Sequence, residues 1–201
     1  MPTLYDIKPR FQALLRPAVR RLAAAGVTAN QVTIAALALS IAHGAWIASG
    51  SARAAALALL PLTLFARMAL NAVDGMLARE HGQKMRLGAI LNECGDGISD
   101  AALYLPFALL PGVPPLFAVA LVVLALIGEM VGIAAAAAGG TRRYDGPLGK
   151  SDRALVHALI ALAMLGGWWS AAVGAWVYPA LVALAVVTVM NRLRAAAREA
   201  A

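Results

Sequence analysis

Long apolar segments are the feature that most restricts how this chain can fold. A membrane-crossing helix needs about 20 predominantly apolar residues, and six segments of that kind follow one another through the sequence. Charged residues make up only 13% of the chain, whereas a soluble domain carries about a quarter. We therefore predict an all-α integral membrane protein with six transmembrane helices. They are placed near residues 32–50, 54–73, 88–110, 115–139, 154–171 and 173–192.

The segment before the first span has a different pattern. In residues 1–26, arginines interrupt the apolar residues at helical spacing. This is typical of an amphipathic helix that lies on the membrane surface, and it is unlike a signal peptide. We expect one membrane domain over residues 1–201, with residues 1–26 as the juxtamembrane segment and residues 32–192 as a six-helix bundle.

The basic residues predict the orientation of the spans. All of the 17 Lys and Arg except Arg53 and Arg67 lie in four clusters: the N-terminal segment, the connections after the second and fourth predicted spans, and the C-terminal end. Basic loops stay on the cytoplasmic side, so both termini are predicted there, in a bacterial inner membrane. Because apolar runs separate the clusters, we expect membrane lipids as neighbours and no nucleic acid partner.

An acid-rich stretch, "LNAVDGMLAREHGQKMRLGAILNECGDGISD" (residues 70–100), interrupts this apolar chain. The third predicted helix carries Asn92, Asp96 and Asp100 at i, i+4 and i+8, which lie on one helical face. The second is predicted to end near Asp74, three residues after Asn71. Two helices should thus bring oxygen ligands together near the cytoplasmic surface.

Carboxylates within membrane segments cost roughly 2.5–3.5 kcal/mol each, so this cluster needs a purpose. A hard cation, a proton path or a buried ion pair would each provide one. Oxygen ligands without His or a thiolate cluster favour Mg²⁺, Mn²⁺ or Ca²⁺ over zinc. A Mg²⁺ site that keeps its waters is usually completed by substrate phosphates.

Two strings in this stretch, "DGMLAR" and, eight residues later, "GAILNECGD", resemble the signature of the CDP-alcohol phosphatidyltransferases. The family pattern is Asp-x-x-Asp-Gly-x-x-Ala-Arg, about eight residues, then Gly-x-x-x-Asp-x-x-x-Asp. Asp74 and Asp96 match its second and fourth aspartates. The other positions in register are Gly75, Ala78, Arg79 and Gly88. "TANQVT" before the first predicted span and "GPLGKSDRA" before the fifth extend the resemblance along most of the chain.

The resemblance implies a metal-dependent enzyme that transfers a phosphatidyl group from CDP-diacylglycerol to an alcohol and releases CMP. It implies that Asp96 takes the proton of the attacking alcohol. Asp74 would bind metal and, with Gly75, Ala78 and Arg79 of the following loop and with Gly88, the nucleotide. It also implies a homodimer.

Two positions depart from the family pattern, because Asn71 and Asn92 stand where it has its first and third aspartates. Four carboxylates would offset two divalent ions, whereas two would offset only one. We therefore expect Mg²⁺ or Mn²⁺ as one or two ions held by Asn71, Asp74, Asn92 and Asp96. Glu93 and Asp100 are close enough in sequence to compensate in part.

Basic residues beyond the motif are candidates for binding the acceptor. Lys150, Arg153 and Arg192 could bind a phosphorylated or otherwise acidic alcohol, or they could be ordinary cytoplasmic loop charges. Glu129 lies well inside an apolar run and could pair with an arginine, line the acceptor cavity or lie in a dimer contact. Arg67 is expected to snorkel or to meet Glu129.

Two other functions compete with the enzyme. An altered family member could bind a CDP-lipid without turnover, and Asn71 and Asn92 favour this alternative. A cation or proton transporter would use the acids as a path. The sequence argues against the transporter, because the acids gather at one membrane face and only Glu129 lies deep in another span.

Overall fold

The computed structural model describes residues 4–199, and every regular element in that range is helical. The helices are α1 (Leu4–Ala24), α2 (Ala29–Ser49), α3 (Arg53–Glu80), α4 (Arg86–Tyr104), α5 (Pro115–Ala137), α6 (Lys150–Leu165) and α7 (Ala171–Glu199). A 3₁₀ helix, Leu105–Leu109, follows α4. The all-α prediction is confirmed for the described residues, and each predicted helix has a counterpart.

Helix α3 is longer than predicted. It continues to Glu80, so the predicted loop location of Gly75, Ala78 and Arg79 is wrong, and these residues form the last turns of a helix. Leucine and alanine favour a helix here, and the positive φ of 68° that redirects the chain comes only at Gly82. The signature residues on both sides of this connection are therefore held by helical backbone.

Helix α4 is shorter than predicted, because its α-helical part ends at Tyr104. Pro106 follows within the 3₁₀ helix, and a proline lacks the N–H that a continuing α-helix would use. The signature part of α4 lies before this change and is unaffected by it.

Four of the described helices, α2, α3, α5 and α7, are long and apolar enough to cross a membrane. Large apolar side chains on them are exposed, including Leu62, Phe65 and Leu116, as expected for surfaces that face lipid. The chain is therefore a multi-pass membrane protein by the composition of its helices. Crossing by α4 and α6, which would complete six spans, stays a prediction.

Helix α2 begins at a capping box. Thr28 Oγ1 accepts a hydrogen bond from the Gln31 N–H at 3.2 Å, and Gln31 Oε1 accepts one from the Thr28 N–H at 2.9 Å. This reciprocal pair satisfies two backbone donors that the first helical turn would otherwise leave open. The "TANQVT" segment thereby has a defined geometry.

The described residues form two compact units. The first contains the residues up to Ala42 together with Leu62–Ser99. Its core brings α1, α2 and α3 together around Val19, Val32 and Leu77. Arg16 and Glu80 form an exposed ion pair at 3.0 Å between α1 and the end of α3.

The second unit contains His43–Pro61 and the described residues from Asp100 onward. Helices α5 and α7 pack against each other in it. Gly44 lies against the Ala102 carbonyl, where a β-carbon would clash with backbone. Glu199 at the end of α7 accepts hydrogen bonds from the N–H and the hydroxyl of Thr141, both at 3.0 Å. The chain between α5 and α6 is therefore tied to α7.

Candidate active site

A cavity of about 650 Å³ lies within the first unit. It is bounded by the start of α2, the end of α3, the connection that follows α3, and the start of α4. Its lining residues are Ala29, Asn30, Thr33, Asn71, Asp74, Gly75, Ala78, Arg79, Gln83, Lys84, Met85, Arg86, Gly88, Ala89 and Asn92. Seven of the eight signature positions thus line one cavity.

Asp74 is the buried acid of this cavity, with 5% of its surface exposed. Its Oδ2 accepts a hydrogen bond of 2.8 Å from the hydroxyl of Thr33 in α2. A buried carboxylate that accepts a hydrogen bond from a buried hydroxyl is held in one orientation. Thr33 therefore fixes the direction in which Asp74 faces.

Asp96 is linked to the cavity through Asn71. The Asn71 Nδ2 donates to Asp96 Oδ1 at 2.9 Å. Arg67 Nη2 donates to the Asp96 carbonyl oxygen at 3.1 Å and lies 3.6 Å from Oδ1. Arg67, predicted to snorkel or to pair with Glu129, is instead only 3% exposed, and it holds the backbone and carboxylate of Asp96.

The charged lining of the cavity is mostly basic. Arg79, Lys84 and Arg86 line it together with a single carboxylate, Asp74. A β-carbon on Gly75 would lie 3.0–3.3 Å from the guanidinium atoms of Arg79, so the glycine leaves room for that group against the helix. Three cations around one acid favour an anionic ligand that is itself bound to a metal cation.

The connection after α3 is held by Gln83. Its Oε1 accepts from the Ala29 N–H at 2.6 Å, and its Nε2 donates to the Val27 carbonyl at 3.3 Å. These bonds join the basic connection to the first turn of α2. The basic side chains beside it are therefore carried by a segment with a fixed attachment.

The remaining predicted site residues lie outside this cavity. Asp100 belongs to the second unit, where its Oδ2 accepts from Arg153 Nη2 at 2.7 Å. Lys150 is the first residue of α6, and Glu93 is a half-buried residue of α4. Their roles as metal or acceptor ligands stay predictions.

Glu129 is surrounded by arginines in the second unit. Its Oε1 lies 3.2 Å from Arg153 Nη2 and 3.4 Å from Arg192 Nη1, and its Oε2 lies 3.1 Å from Arg142 Nη2. Of the alternatives for Glu129, pairing with arginine is what the structure shows. Two of the predicted acceptor-binding cations, Arg153 and Arg192, are thus already paired with carboxylates.

A second ion pair lies beside this cluster, between α5 and α6. The Arg143 guanidinium contacts Asp145 at 2.9 Å, and this hydrogen bond lowers the pKa of the Asp145 carboxyl. Asp145 therefore stays ionised near neutral pH and keeps its pairing with Arg143.

The donor set of the cavity limits which metals it can hold. Among residues 4–199 there is no group of three or more His, Cys, Asp or Glu side chains arranged to bind an ion. Asn71, Asp74 and Asn92 line the cavity, and Asp96 is hydrogen-bonded to Asn71. Carboxylate and carboxamide oxygens are ligands of the type that hard divalent cations accept.

Three residues of the first unit were not identified from the sequence as parts of the site: Asn30, Thr33 and Gln83. Two of them lie in "TANQVT". The resemblance of this segment to the family was the sequence feature that could have identified them. Spacing gives no sign of them, because Thr33 is 41 residues from Asp74 and Gln83 is 54 residues from Ala29.

Comparison with known proteins gives the class of the molecule. The family model of the CDP-alcohol phosphatidyltransferases matches residues 26–190. The inner membrane protein YnbA of Escherichia coli (strain K12) is 52% identical over 162 residues, which cover 81% of this chain and 80% of the relative. The chain belongs to the CDP-alcohol phosphatidyltransferase family.

Solved structures give the fold. The phosphatidylinositol phosphate synthase PgsA1 of Mycobacterium tuberculosis with CDP-DAG bound matches with a TM-score of 0.66 at 24% identity, over 90% of this chain and 92% of that one. Its complex with manganese and citrate matches with the same TM-score and identity, over 90% and 87% of the two chains. At this identity the likeness establishes a shared fold.

Proposed function

We propose that this protein transfers a phosphatidyl group from CDP-diacylglycerol to a small alcohol or phosphorylated polyol and releases CMP, in phospholipid synthesis. The main support is the single cavity that collects seven signature positions. Its volume of about 650 Å³ lies within the roughly 300–1,000 Å³ of small-molecule sites, and its basic lining suits a diphosphate.

The first step is binding of the donor. Arg79 is proposed to hold the diphosphate, since a guanidinium matches phosphate oxygens in charge and geometry. Gly75, Ala78 and Gly88 would let the nucleotide approach the helix backbones. Structures of a relative with CDP-DAG bound and in complex with manganese and citrate support a CDP-lipid and a divalent ion as ligands.

A divalent cation, Mg²⁺ or Mn²⁺, would offset charge on the pyrophosphate and on the departing CMP. Asp74 and Asp96 are its proposed carboxylate ligands, with Asn71 and Asn92 as neutral ones. Glu93 and Asp100 are further candidates, although Asp100 would have to exchange its ion pair with Arg153. The donor set supports one ion rather than two.

In the transfer step, the alcohol oxygen attacks the phosphorus next to the diacylglycerol, and the bond to CMP breaks. Asp96 is proposed to accept the alcohol proton. The hydrogen bond from Asn71 and the contact with Arg67 hold its carboxylate in place. Lys150, Arg153 and Arg192 are the proposed acceptor-binding residues.

The setting of the enzyme is proposed to be the bacterial inner membrane, with six spans, a cytoplasmic active site and a homodimeric assembly. The 52% identical relative is an inner membrane protein, and the basic clusters of the sequence support the orientation.

The test is CMP release by the purified protein from CDP-diacylglycerol with Mg²⁺ or Mn²⁺, across a panel of neutral and phosphorylated alcohols. We expect release with at least one alcohol and its loss in excess EDTA, since the ion offsets the leaving-group charge. Metal-independent release would contradict the proposed role of the cation, and no release with any alcohol would contradict turnover.

A family member that binds a CDP-lipid without turnover is the second candidate, and the Asn71–Asp96 hydrogen bond favours it. The Asn71 amide and the Asp96 carboxylate bond to each other directly, without a cation between them. Two carboxylates at these positions would repel each other. CDP-diacylglycerol binding without CMP release, followed by release in the double variant Asn71→Asp, Asn92→Asp, would establish this candidate.

Thr33 should influence the metal-dependent reaction through Asp74. Thr33→Val keeps the side-chain shape but removes the hydroxyl that donates to Asp74 Oδ2. Loss of a hydrogen bond to a metal-ligating group typically costs roughly 10–100-fold in metal affinity or activity, so we expect a fall of that size in CMP release and a higher half-saturating Mn²⁺ concentration.

Thr33→Ser is the matched control, because it retains the hydroxyl. It should keep most of the activity and the original Mn²⁺ dependence. Equal losses in both variants, with unchanged Mn²⁺ dependence, would mean that Thr33 acts only by packing against its neighbours.

A further inference from the structure

The tryptophans of the chain gather at two connections of the second unit. Trp46 lies near the end of α2, and Trp168, Trp169 and Trp176 lie in or just after the connection between α6 and α7. Tryptophan is enriched where a membrane meets water, because its amphipathic ring suits the level of the lipid headgroups. These two connections are therefore expected at headgroup depth.

A cavity of about 400 Å³ lies at this end of the second unit, and we call it the tryptophan cavity. It is bounded by the start of α3, the chain after the 3₁₀ helix, the end of α6 and the connection to α7. Its lining residues are Arg53, Ala54, Leu57, Leu110, Pro111, Met164, Leu165 and Trp169. The volume falls within the roughly 300–1,000 Å³ of small-molecule sites, and the lining is apolar except for one cation.

That cation, Arg53, has no acid near it in the sequence. Every residue of the lining lies in a stretch without Asp or Glu, namely residues 7–73, 101–128 and 153–198. Arg53 is also the first residue of α3, where the helix dipole disfavours a positive charge. Its charge therefore does not serve the helix, and a counter-charge would come from outside the lining.

Both polar groups of the lining are carried by held segments. The connection that leads to Arg53 is fixed by a hydrogen bond of 2.9 Å from Trp46 Nε1 to the Ser51 carbonyl. Trp169 packs edge-on against Tyr178 of α7, with 6.2 Å between the ring centroids. The cation and the ring are thus held in place before any ligand binds.

We propose that the tryptophan cavity binds one anionic phospholipid, with its phosphate on Arg53 and its first acyl carbons against Leu57, Leu110 and Leu165. A guanidinium matches phosphate oxygens in charge and geometry, and basic pockets between membrane helices bind anionic headgroups. A free phosphate would leave the apolar lining uncovered, whereas a lipid covers it. The inference is independent of the proposed function, because this cavity shares no lining residue with the cavity of the first unit.

The experiment measures how phosphatidylglycerol with brominated acyl chains quenches the tryptophan fluorescence of the purified protein in a non-ionic detergent. Bromine quenches tryptophan at contact, and all four tryptophans lie in the second unit, so the signal reports lipid bound there. We expect saturable quenching by this lipid and weaker binding of brominated phosphatidylcholine, whose own cation competes with Arg53.

Arg53→Gln should raise the half-saturating concentration of phosphatidylglycerol at least about tenfold, because a hydrogen bond to a charged group is lost. The helix should survive, since the change removes a cation from its N-terminus. Arg21→Gln is the matched control. It removes the same charge from the last turn of α1, outside the cavity, and should leave the quenching curve unchanged.

Three results would overturn the site. Equal binding of the two brominated lipids, unaffected by Arg53→Gln, would mean general contact with lipid. An equal rise in Arg21→Gln would reduce the effect to overall charge. Displacement of the brominated lipid by glycerophosphoglycerol, the headgroup without acyl chains, would mean that the phosphate alone is bound. Saturable quenching in a protein that releases no CMP would contradict only the proposed function.

Discussion

Replacing Glu129 with glutamine should lower the thermal unfolding temperature of the detergent-solubilised protein by roughly 6–12 °C. This corresponds to a loss of about 3 kcal/mol, the lower part of the range for breaking a buried ion pair, at about 2–4 °C per kcal/mol for a chain of this size. The glutamine has nearly the same volume, so the effect isolates the charge.

The reason is that three arginines depend on this one carboxylate. Arg153 keeps its bond to Asp100 when Glu129 is neutralised, so it is partly protected. Arg192 is only 2% exposed, and among the described residues its other hydrogen bond runs from Nε to the Asp145 carbonyl at 3.4 Å. A buried guanidinium without a counter-charge is costly, so Arg192 should account for most of the loss.

Glu80→Gln is the matched control. Glu80 also forms an ion pair with an arginine, Arg16, but the two side chains are 36% and 41% exposed. Exposed pairs contribute little to stability, so this variant should unfold within a few degrees of the unaltered protein. Indistinguishable unfolding temperatures for the two variants would show that the Glu129 cluster contributes no more than a surface pair.

Features that depend on residues close together in the sequence could be predicted from it. The apolar segments predict helices, because burial in lipid depends on composition over about 20 residues. The signature predicts that Asn71, Asp74 and Asn92 share one site, and the cavity contains all three. These are properties of neighbouring residues or of a recurring pattern.

Partners of single side chains could not be predicted in the same way. Glu129 meets arginines from α6, from α7 and from the chain between α5 and α6, and no periodicity relates these positions. Arg67 was expected to snorkel or to meet Glu129, and its burial beside Asp96 depends on how α3 packs against α4. The end of α3 was also missed, because the second span was predicted to end near Asp74 and the helix continues to Glu80.

The largest expected effect on activity belongs to Asp96→Asn. General-base catalysis typically contributes about 10²–10⁴-fold, so CMP release should fall by at least about 100-fold. The substitution keeps the volume of the side chain. The hydrogen bond from Arg67 goes to the backbone carbonyl oxygen of residue 96, so it does not depend on the substituted side chain. The fold should therefore survive, and CDP-diacylglycerol should still bind.

Three measurements on the same preparations separate chemistry from folding: CMP release, CDP-diacylglycerol binding and the unfolding temperature. Cys94→Ala is the control on the same helix, because Cys94 is exposed and has no proposed role, so it should retain full release. A loss of release in Asp96→Asn with binding and unfolding temperature preserved is expected of a proton acceptor. Because Asp96 is also a proposed metal ligand, the loss should persist at saturating Mn²⁺, and recovery there would reduce its role to holding the ion.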